Sequence, residues 1–318
     1  MARRKRGNPV HGWLVLDKPY DLGSTEAVSR SKWLFEAQKA GHAGTLDPLA
    51  TGILPIAFGE ATKTVPYVQD GLKTYRFSAR WGVATTTDDA EGEACAESDF
   101  RPSQDEIEAI LPDFTGTITQ RPPAFSAIKI GGQRAYDLAR EGEKVTVPER
   151  DVTIEALHLV EIVSEDEAVL EAVTGKGTYV RALVRDIAEA LGTVAHVSSL
   201  RRTAVGPFTE EMAVTFREMT GRPDTDRLTP EDRAGDFAPF LIGVEQGMME
   251  FPQVSIDRTA ASRLFHGNEA ILAPAQMTPI RQGSSDDIEP ILAMEGDAPV
   301  AICRLEGMKL KPVKVFNL

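Results

Sequence analysis

The stretch from Gly41 to Leu54 constrains the fold of this chain more than any other, because it places one carboxylate in a turn rich in glycine and proline. Its glycines permit main-chain conformations and close approaches that a side chain would block. Pro48 fixes its own φ and disfavours a helical conformation for Asp47. The pattern predicts a rigid turn that presents Asp47, a candidate nucleophile, although an isolated Asp-Pro beside glycine is commonly just a loop.

The composition is that of a globular protein with an ample core. The chain has 318 residues, 42% of them hydrophobic, and its two cysteines are Cys95 and Cys303. Two distant cysteines without ligand-spaced histidines predict neither a disulfide framework nor a zinc site, and they favour a reducing, cytoplasmic location. The basic opening residues lack a signal-peptide pattern, and no apolar run reaches the roughly 20 residues of a membrane span. We therefore expect a soluble protein without a membrane partner.

Charge is distributed unevenly along the chain. The net charge is −13, yet residues 1–80 hold 12 Lys and Arg against 7 Asp and Glu, whereas residues 81–120 hold 1 against 10. Nucleic-acid phosphates are bound through lysine and arginine. The first part of the chain can therefore supply a basic face for RNA while the acidic part lies elsewhere. For Arg3 to Arg6 alone, a disordered tail is the simpler interpretation.

Hydrophobic patterns predict an α/β or α+β fold with a mixed sheet. Residues 74–82 alternate as a half-buried strand, residues 151–174 hold two strands around a polar turn, and residues 178–191 form an amphipathic helix. Ser24 or Thr25 is expected to cap an earlier helix, and residues 237–249 look helical. The acidic segment Thr85 to Asp99 predicts a hairpin loop without chemistry. A change of texture near residue 250 divides the chain into a basic tail (1–10), a main domain (11–249) and a small β-rich domain (250–318).

Further motifs accompany the Asp47 segment in a fixed order. They are Leu14-Val-Leu-Asp-Lys-Pro19, Gly59-Glu-Ala-Thr-Lys63, Lys73-Thr-Tyr-Arg76, Arg121-Pro-Pro-Ala-Phe-Ser-Ala-Ile-Lys129, Gly175-Lys-Gly-Thr-Tyr-Val-Arg181 and Leu200-Arg-Arg202. In type and order these blocks resemble the TruB family of tRNA pseudouridine-55 synthases over about the first two thirds of the chain. The resemblance implies the pseudouridine synthase fold, a mixed and largely antiparallel sheet flanked by helices. It also implies a PUA-like RNA-binding domain at residues 250–318.

The resemblance implies isomerisation of uridine 55 in the T loop of tRNA, without metal or organic cofactor. Asp47 is then the nucleophile, and Arg181 is the cation that keeps it charged in a desolvated site. Tyr75 stacks on the target uracil, and its hydroxyl is a candidate for moving the C5 proton. The residues leave open whether Asp47 attacks ribose C1′, attacks C6 of the base or assists elimination.

Further contacts to substrate follow from the same motifs. Tyr179 and Leu200 match positions that line the base pocket, and His42 matches a residue that fills the gap left by the extruded base. From residue type alone, Leu200 is equally a core residue and His42 equally a surface residue. Basic side chains near the motifs are candidate phosphate contacts, each of which can also be simply solvated. These are Lys18, Lys63, Lys129, Arg201 and Arg202.

Two other functions compete with this interpretation. An RNA-binding or tRNA-folding chaperone can share the site without depending on turnover. A glycoside hydrolase is poorly supported, because that chemistry uses two carboxylates and the sequence presents no second acid in a comparable way. The expected partner is the T stem-loop of tRNA, with no obligate protein partner, since the chain lacks the lysine-rich tails expected of a guided ribosomal-RNA enzyme.

Overall fold

The computed structural model describes residues 7–125, 147–224, 226–281 and 287–318, together with the main chain of 129–130 and 133–134. Up to residue 209 the strands are β1 (Gly12–Lys18), β2 (Ala40–His42), β3 (Thr51–Phe58), β4 (Lys73–Trp81), β5 (Val83–Thr85), β6 (Ala94–Glu97), β7 (Gly116–Gln120), β8 (Lys129–Ile130), β9 (Gln133–Arg134), β10 (Arg150–Ser164), β11 (Glu167–Thr174), β12 (Ala195–Val205) and β13 (Phe208–Thr209). Nine of them form the main sheet, in which β2 pairs with β3, β13 pairs with β12, and the remaining order is β1-β3-β12-β4-β11-β10-β7. The β3–β12 pair is parallel and its neighbours are antiparallel, which confirms the predicted mixed, largely antiparallel sheet.

Helices flank this sheet as predicted. They are α1 (Ser24–Leu34), α2 (Val65–Asp70), α3 (Gln104–Ile110), α4 (Val180–Ala190) and α5 (Phe216–Thr220). Helix α4 buries Leu183, Val184 and Ile187 against Phe77 and Trp81 of β4. This packing follows from the helical spacing of the apolar residues of α4 and the alternation in β4. It fixes the start of α4, and therefore Arg181, against the sheet.

A second sheet forms the β-rich C-terminal part. Its strands are β14 (Gln253–Ser255), β15 (Ala270–Ile271), β16 (Ile288–Glu295), β17 (Ala298–Glu306) and β18 (Lys309–Val315), in the order β14-β16-β17-β18-β15, with helices α6 (Arg258–Phe265) and α7 (Pro274–Arg281) beside them. Leu292, Ile302 and Phe316 pack with Trp13 and Val15 of the main sheet in one shared apolar cluster. The RNA-binding role of residues 250–318 stays a prediction.

Two local expectations are wrong. Helix α1 is preceded by Gly23 without a side-chain cap, and Ser24 is its first residue, with a hydroxyl that bonds elsewhere. Residues 237–249 hold two short 3-10 turns, Ala238–Phe240 and Val244–Met248, since Pro239 and Gly243 interrupt a regular helix.

The beginning of the described chain is tied to the main domain. The Asn8 amide donates to the Glu36 carbonyl at 2.7 Å, and the Asn8 carbonyl accepts from the Gln38 amide at 3.0 Å. Residues 1–6 lie outside the described part. Within the described residues, no helix has the length and apolar character needed to cross a membrane. The cytoplasmic location stays a prediction.

Candidate active site

Asp47 lies in the loop that joins β2 to β3, and its side chain is 37% exposed. The loop returns to the sheet through Gly52, whose φ is +97°. A Cβ at Gly52 would lie 2.2 Å from the main-chain oxygen of Arg202 on the neighbouring β12. Only glycine fits both this conformation and this approach, so the position of the loop depends on residue 52.

Three buried side chains from three separate elements hold the main chain around Asp47. Lys18, at the end of β1, donates to the Pro48 carbonyl at 3.0 Å. Ser24 Oγ accepts from the Leu46 amide at 2.8 Å and donates to the Leu46 carbonyl at 2.7 Å. Each of these bonds satisfies a loop polar group that is shielded from water, so together they fix the path of the loop.

Arg202 is the third of these side chains. Its guanidinium donates to the carbonyls of Gly44 and Thr45 at 3.2 Å and of Ile53 at 2.8 Å, and it therefore joins the two ends of the loop. Lys18 is 0% exposed and Arg202 is 1% exposed. At 0% and 1% exposure, and with their nitrogens directed at loop carbonyls, Lys18 and Arg202 gain no support from the described structure as the predicted phosphate contacts.

Arg181 faces Asp47 from the first turn of α4. Its Nη2 lies 2.9 Å from Asp47 Oδ2, and its side chain is only 6% exposed. The same guanidinium donates to the Thr87 carbonyl at 3.1 Å and the Phe125 carbonyl at 3.0 Å. A planar guanidinium held at several points presents a fixed positive charge to the carboxylate.

Asp89 is a member of this site that the sequence reasoning missed. Its Oδ2 lies 3.2 Å from Arg181 Nη1, and its side chain is 9% exposed. The segment from Thr85 to Asp99 was expected to take no part in the site. That expectation is wrong for Asp89, which lies in the first half of the segment. One helical turn further along α4, Arg185 pairs with Asp88 at 3.0 Å. Two arginines four residues apart, facing two adjacent aspartates, were the available signal.

An open cleft of about 390 Å³ lies beside Asp47. It brings together six of the residues singled out from sequence: Asp47, Tyr75, Tyr179, Arg181, Leu200 and the largely buried Arg202. Tyr75 and Leu200 come from the adjacent strands β4 and β12, while Tyr179 immediately precedes α4. Aromatic walls, one exposed carboxylate and a fixed guanidinium suit a planar, uncharged ring that reacts with a nucleophile.

His42 is not among the described residues that line this cleft. It ends β2 and is half-buried, and its Nδ1 is buried without a hydrogen-bond partner in the described part of the chain. Burial, together with the charge of Arg202, lowers the pKa of His42 from its ordinary value of 6.5. The imidazole is therefore neutral at neutral pH, and its gap-filling role stays a prediction.

The other candidate phosphate contacts have structural partners. Lys63 pairs with Glu60 and donates to the Val315 carbonyl at 2.6 Å, which connects the main domain to the C-terminal sheet. Arg201 forms a two-point ion pair with Asp17 at 3.0 and 2.8 Å and also pairs with Glu210. The side chain of Lys129 lies outside the described residues. The phosphate contacts of Lys63, Arg201 and Lys129 stay predictions.

Comparison with known proteins places this geometry in a family. The model for the TruB family pseudouridylate synthase N-terminal domain matches residues 32–180, and the tRNA pseudouridylate synthase B C-terminal domain model matches residues 181–226. The tRNA pseudouridine synthase B of Caulobacter vibrioides is 49% identical over 318 residues, which cover 100% of both chains. The chain belongs to the TruB family of tRNA pseudouridine synthases, which are isomerases. The Mesorhizobium japonicum member is 48% identical over 99% of both chains.

Solved structures show the same fold. A Cbf5-Nop10-Gar1 complex contains a chain that matches 96% of this TruB family member, with a TM-score of 0.67 and 26% identity, and 85% of that chain is covered. A chain of an H/ACA RNP bound to a substrate RNA containing 2′-deoxyuridine matches with a TM-score of 0.67 at 22% identity, covering 100% of this chain and 92% of that one. The pseudouridine synthase fold predicted from the motifs is confirmed.

Proposed function

We propose that this TruB family member converts uridine 55 in the T loop of tRNA to pseudouridine, with Asp47 as the nucleophile. The observation that carries the proposal is the 2.9 Å contact between the accessible Asp47 carboxylate and the buried Arg181, at the wall of a cleft with two tyrosines. The relatives named tRNA pseudouridine synthase B support tRNA as the substrate.

The reaction breaks the bond between ribose C1′ and N1, turns the uracil and joins C1′ to C5; the C5 proton leaves and N1 gains a proton, so the product is an isomer of the substrate. Asp47 supplies the carboxylate oxygen, whether at C1′, at C6 or in elimination, and Arg181 holds the carboxylate in place through the 2.9 Å contact. Tyr75 and Tyr179 offer surfaces on which the extruded base can stack. We assign to His42 the filling of the gap that the base leaves in the RNA.

No metal or organic cofactor is needed in this proposal, because the isomerisation transfers no electrons and its nucleophile is a side chain. Among the described residues, no three His, Cys, Asp or Glu side chains come close enough to hold a metal ion. The purified chain alone is expected to act on tRNA without a protein partner.

Release of tritium from tRNA labelled at uracil C5 tests the proposal directly. The wild-type protein is expected to release tritium from position 55, and a substrate with cytidine at that position is the matched control. Absence of release by pure, folded protein would reject the function. Asp47→Asn is expected to abolish release and to keep tRNA affinity, since the amide retains the shape of the carboxylate.

The same variant separates catalysis from chaperoning. If Asp47→Asn restores the fold of misfolded tRNA as well as the wild type does, binding alone supports folding. Loss of tRNA binding would make Asp47 a structural residue. Because Asp89 provides a second carboxylate on Arg181, free uracil should also be measured, and its accumulation would favour hydrolysis over isomerisation.

A further inference from the structure

The cleft beside Asp47 carries more positive charge than the proposed reaction uses. Its described lining contains one carboxylate, Asp47, and the cationic side chains Lys73, Arg150, Lys176, Arg181 and Arg202. Arg181 is balanced by two aspartates, and Arg202 is buried against carbonyls. The other three cations have no part in the isomerisation itself.

Lys73 lies next to the predicted base-stacking residue Tyr75. The two are separated by one residue on β4, so their side chains face the same side of the sheet and their Cα atoms are about 7 Å apart. Lys73 is 7% exposed, and its Nζ donates to the carbonyls of Gln69 and Gly71. Among the described residues, its third N–H group has no acceptor and is available to a ligand. Burial lowers its pKa to about 8, helped by Arg202 and Lys176 and opposed by Asp70 and Glu250. An anion bound here would favour the charged amine.

Arg150 and Lys176 lie around the other tyrosine. The Arg150 guanidinium carbon is 5.2 Å from the centre of the Tyr179 ring, and Arg150 also donates to the Gly177 carbonyl. Lys176 is 69% exposed and pairs at 2.7 Å with Asp70, which is 61% exposed. Because such exposed pairs contribute only about 0–1 kcal/mol, an incoming anion can displace Asp70 at little cost.

We propose that Lys73, Arg150 and Lys176 form a phosphate-binding subsite for the RNA backbone of the nucleotide whose base enters the cleft. This inference rests on the proposed function and extends it. The tyrosines contact the base while the cations beside them contact a flanking phosphate, so one nucleotide is held at both ends. Such a contact sets the register of the RNA without reading its sequence.

The experiment combines protein variants with neutral RNA linkages. The substrate is a T stem-loop RNA that is tritiated at C5 of the target uridine. Three forms are compared: one with normal phosphates, one with a single uncharged methylphosphonate 5′ of that uridine, and one with a single methylphosphonate 3′ of it. Lys176→Glu reverses the most exposed of the three charges, and Lys176→Arg keeps it. Arg80→Glu is the matched control, since Arg80 is exposed at the other end of β4 and the charge change is the same.

Lys176→Glu is expected to weaken RNA affinity about fivefold and to reduce the slope of log affinity against log salt by about 0.7 to 0.9. Lys176→Arg and Arg80→Glu should bind like the wild type, and Asp70→Asn should bind more tightly because it frees Lys176. At one of the two positions, the methylphosphonate should weaken binding by the wild type and have no further effect on Lys176→Glu.

Two results would overturn the subsite. One is equal loss of affinity in Lys176→Glu and Arg80→Glu, which would indicate a general charge effect. The other is independent, additive effects of Lys176→Glu and the neutral linkage at both positions. Failure of the proposed function would look different, because the wild-type protein would then release no tritium from the normal substrate.

Discussion

The hydroxyl of Ser24 makes two hydrogen bonds to the main chain of Leu46, the residue before Asp47. Ser24 is 5% exposed and begins α1, so a helix start is joined directly to the candidate nucleophile loop. Ser24→Ala leaves both Leu46 groups without this partner, and we expect a loss of about 1–3 kcal/mol in the free energy of unfolding. Turnover should fall while tRNA affinity stays unchanged, which urea denaturation and single-turnover tritium release would measure. Ser29→Ala, an exposed hydroxyl on the same helix, is the control, and equal effects in both variants would contradict the prediction.

Asp89→Asn is expected to slow turnover, because it removes one of the two carboxylates that orient Arg181. The change leaves a similar volume, and tRNA affinity should be retained. Asp88→Asn is a closely matched control, since Asp88 pairs with Arg185 one turn along the same helix. Single-turnover rates of the two variants test this. Equal rates would show that Asp89 does not act through Arg181.

Two variants of Tyr75 separate the role of its ring from the role of its hydroxyl. Tyr75→Phe keeps the stacking surface and should keep RNA affinity, but its turnover should fall about 10²- to 10⁴-fold if the hydroxyl moves the C5 proton. Tyr75→Leu should in addition lose about 1–3 kcal/mol of base stacking. Binding to an RNA stem-loop and tritium release, measured side by side, distinguish the two. Full activity of Tyr75→Phe would assign proton transfer to another group.

The buried amine of Lys18 should make the stability of the protein depend on pH. Burial lowers its pKa from 10.5 to about 8, although the nearby Asp47 charge opposes the shift. Between about pH 8 and 10.5 the unfolded chain binds more protons at this residue than the folded chain, so its contribution makes the free energy of unfolding rise with pH. Below about pH 8, Lys18 is charged in both the folded and the unfolded state. Burying that charge then lowers the free energy of unfolding by at most about 3 kcal/mol.

Lys18→Met should remove that rise. Urea denaturation of both proteins at several pH values between about 7 and 10.5 measures the difference, and Lys73, which has a similar shift, is present in both and cancels. Parallel curves for the two proteins would contradict the assigned pKa of Lys18.

Lys63→Met tests whether Lys63 joins the domains or contacts RNA. Loss of the Glu60 pair and of the bond to the Val315 carbonyl should cost about 1–2 kcal/mol of stability. If Lys63 contacts no phosphate, the salt dependence of tRNA binding should match that of the wild type. Lys309→Met removes an exposed pair within the C-terminal sheet and serves as the control for stability. A reduced salt slope in Lys63→Met would restore the phosphate role.

Local patterns in the sequence were sufficient for β4, β10, β11 and α4, whereas the residues predicted to line the cleft were assigned by the motif resemblance. Tyr75 and Phe77 alternate with polar residues along β4, and Arg181 opens a helix whose apolar residues recur at helical spacing, so both could be placed without tertiary information. The motif resemblance supplied the pairing of Asp47 with Arg181, which no local pattern contains.

The errors concern long-range contacts. Lys18 and Arg202 are basic residues that look solvated in sequence, but they donate hydrogen bonds to carbonyls of a loop that is distant in the chain. Asp89 looked like one acid among many, because nothing local shows that it is buried against Arg181. Burial of a charged group depends on which partner the fold brings to it, and residue type alone does not determine that.

Arg202 joins both ends of the loop that contains Asp47, although about half of the whole polypeptide separates them in sequence. A nascent chain that has not been synthesised past β12 already contains every residue from Gly41 to Leu54 but lacks the guanidinium that closes their loop. Reactivity toward RNA therefore emerges late in synthesis, and proteolytic fragments ending before residue 202 should be inert.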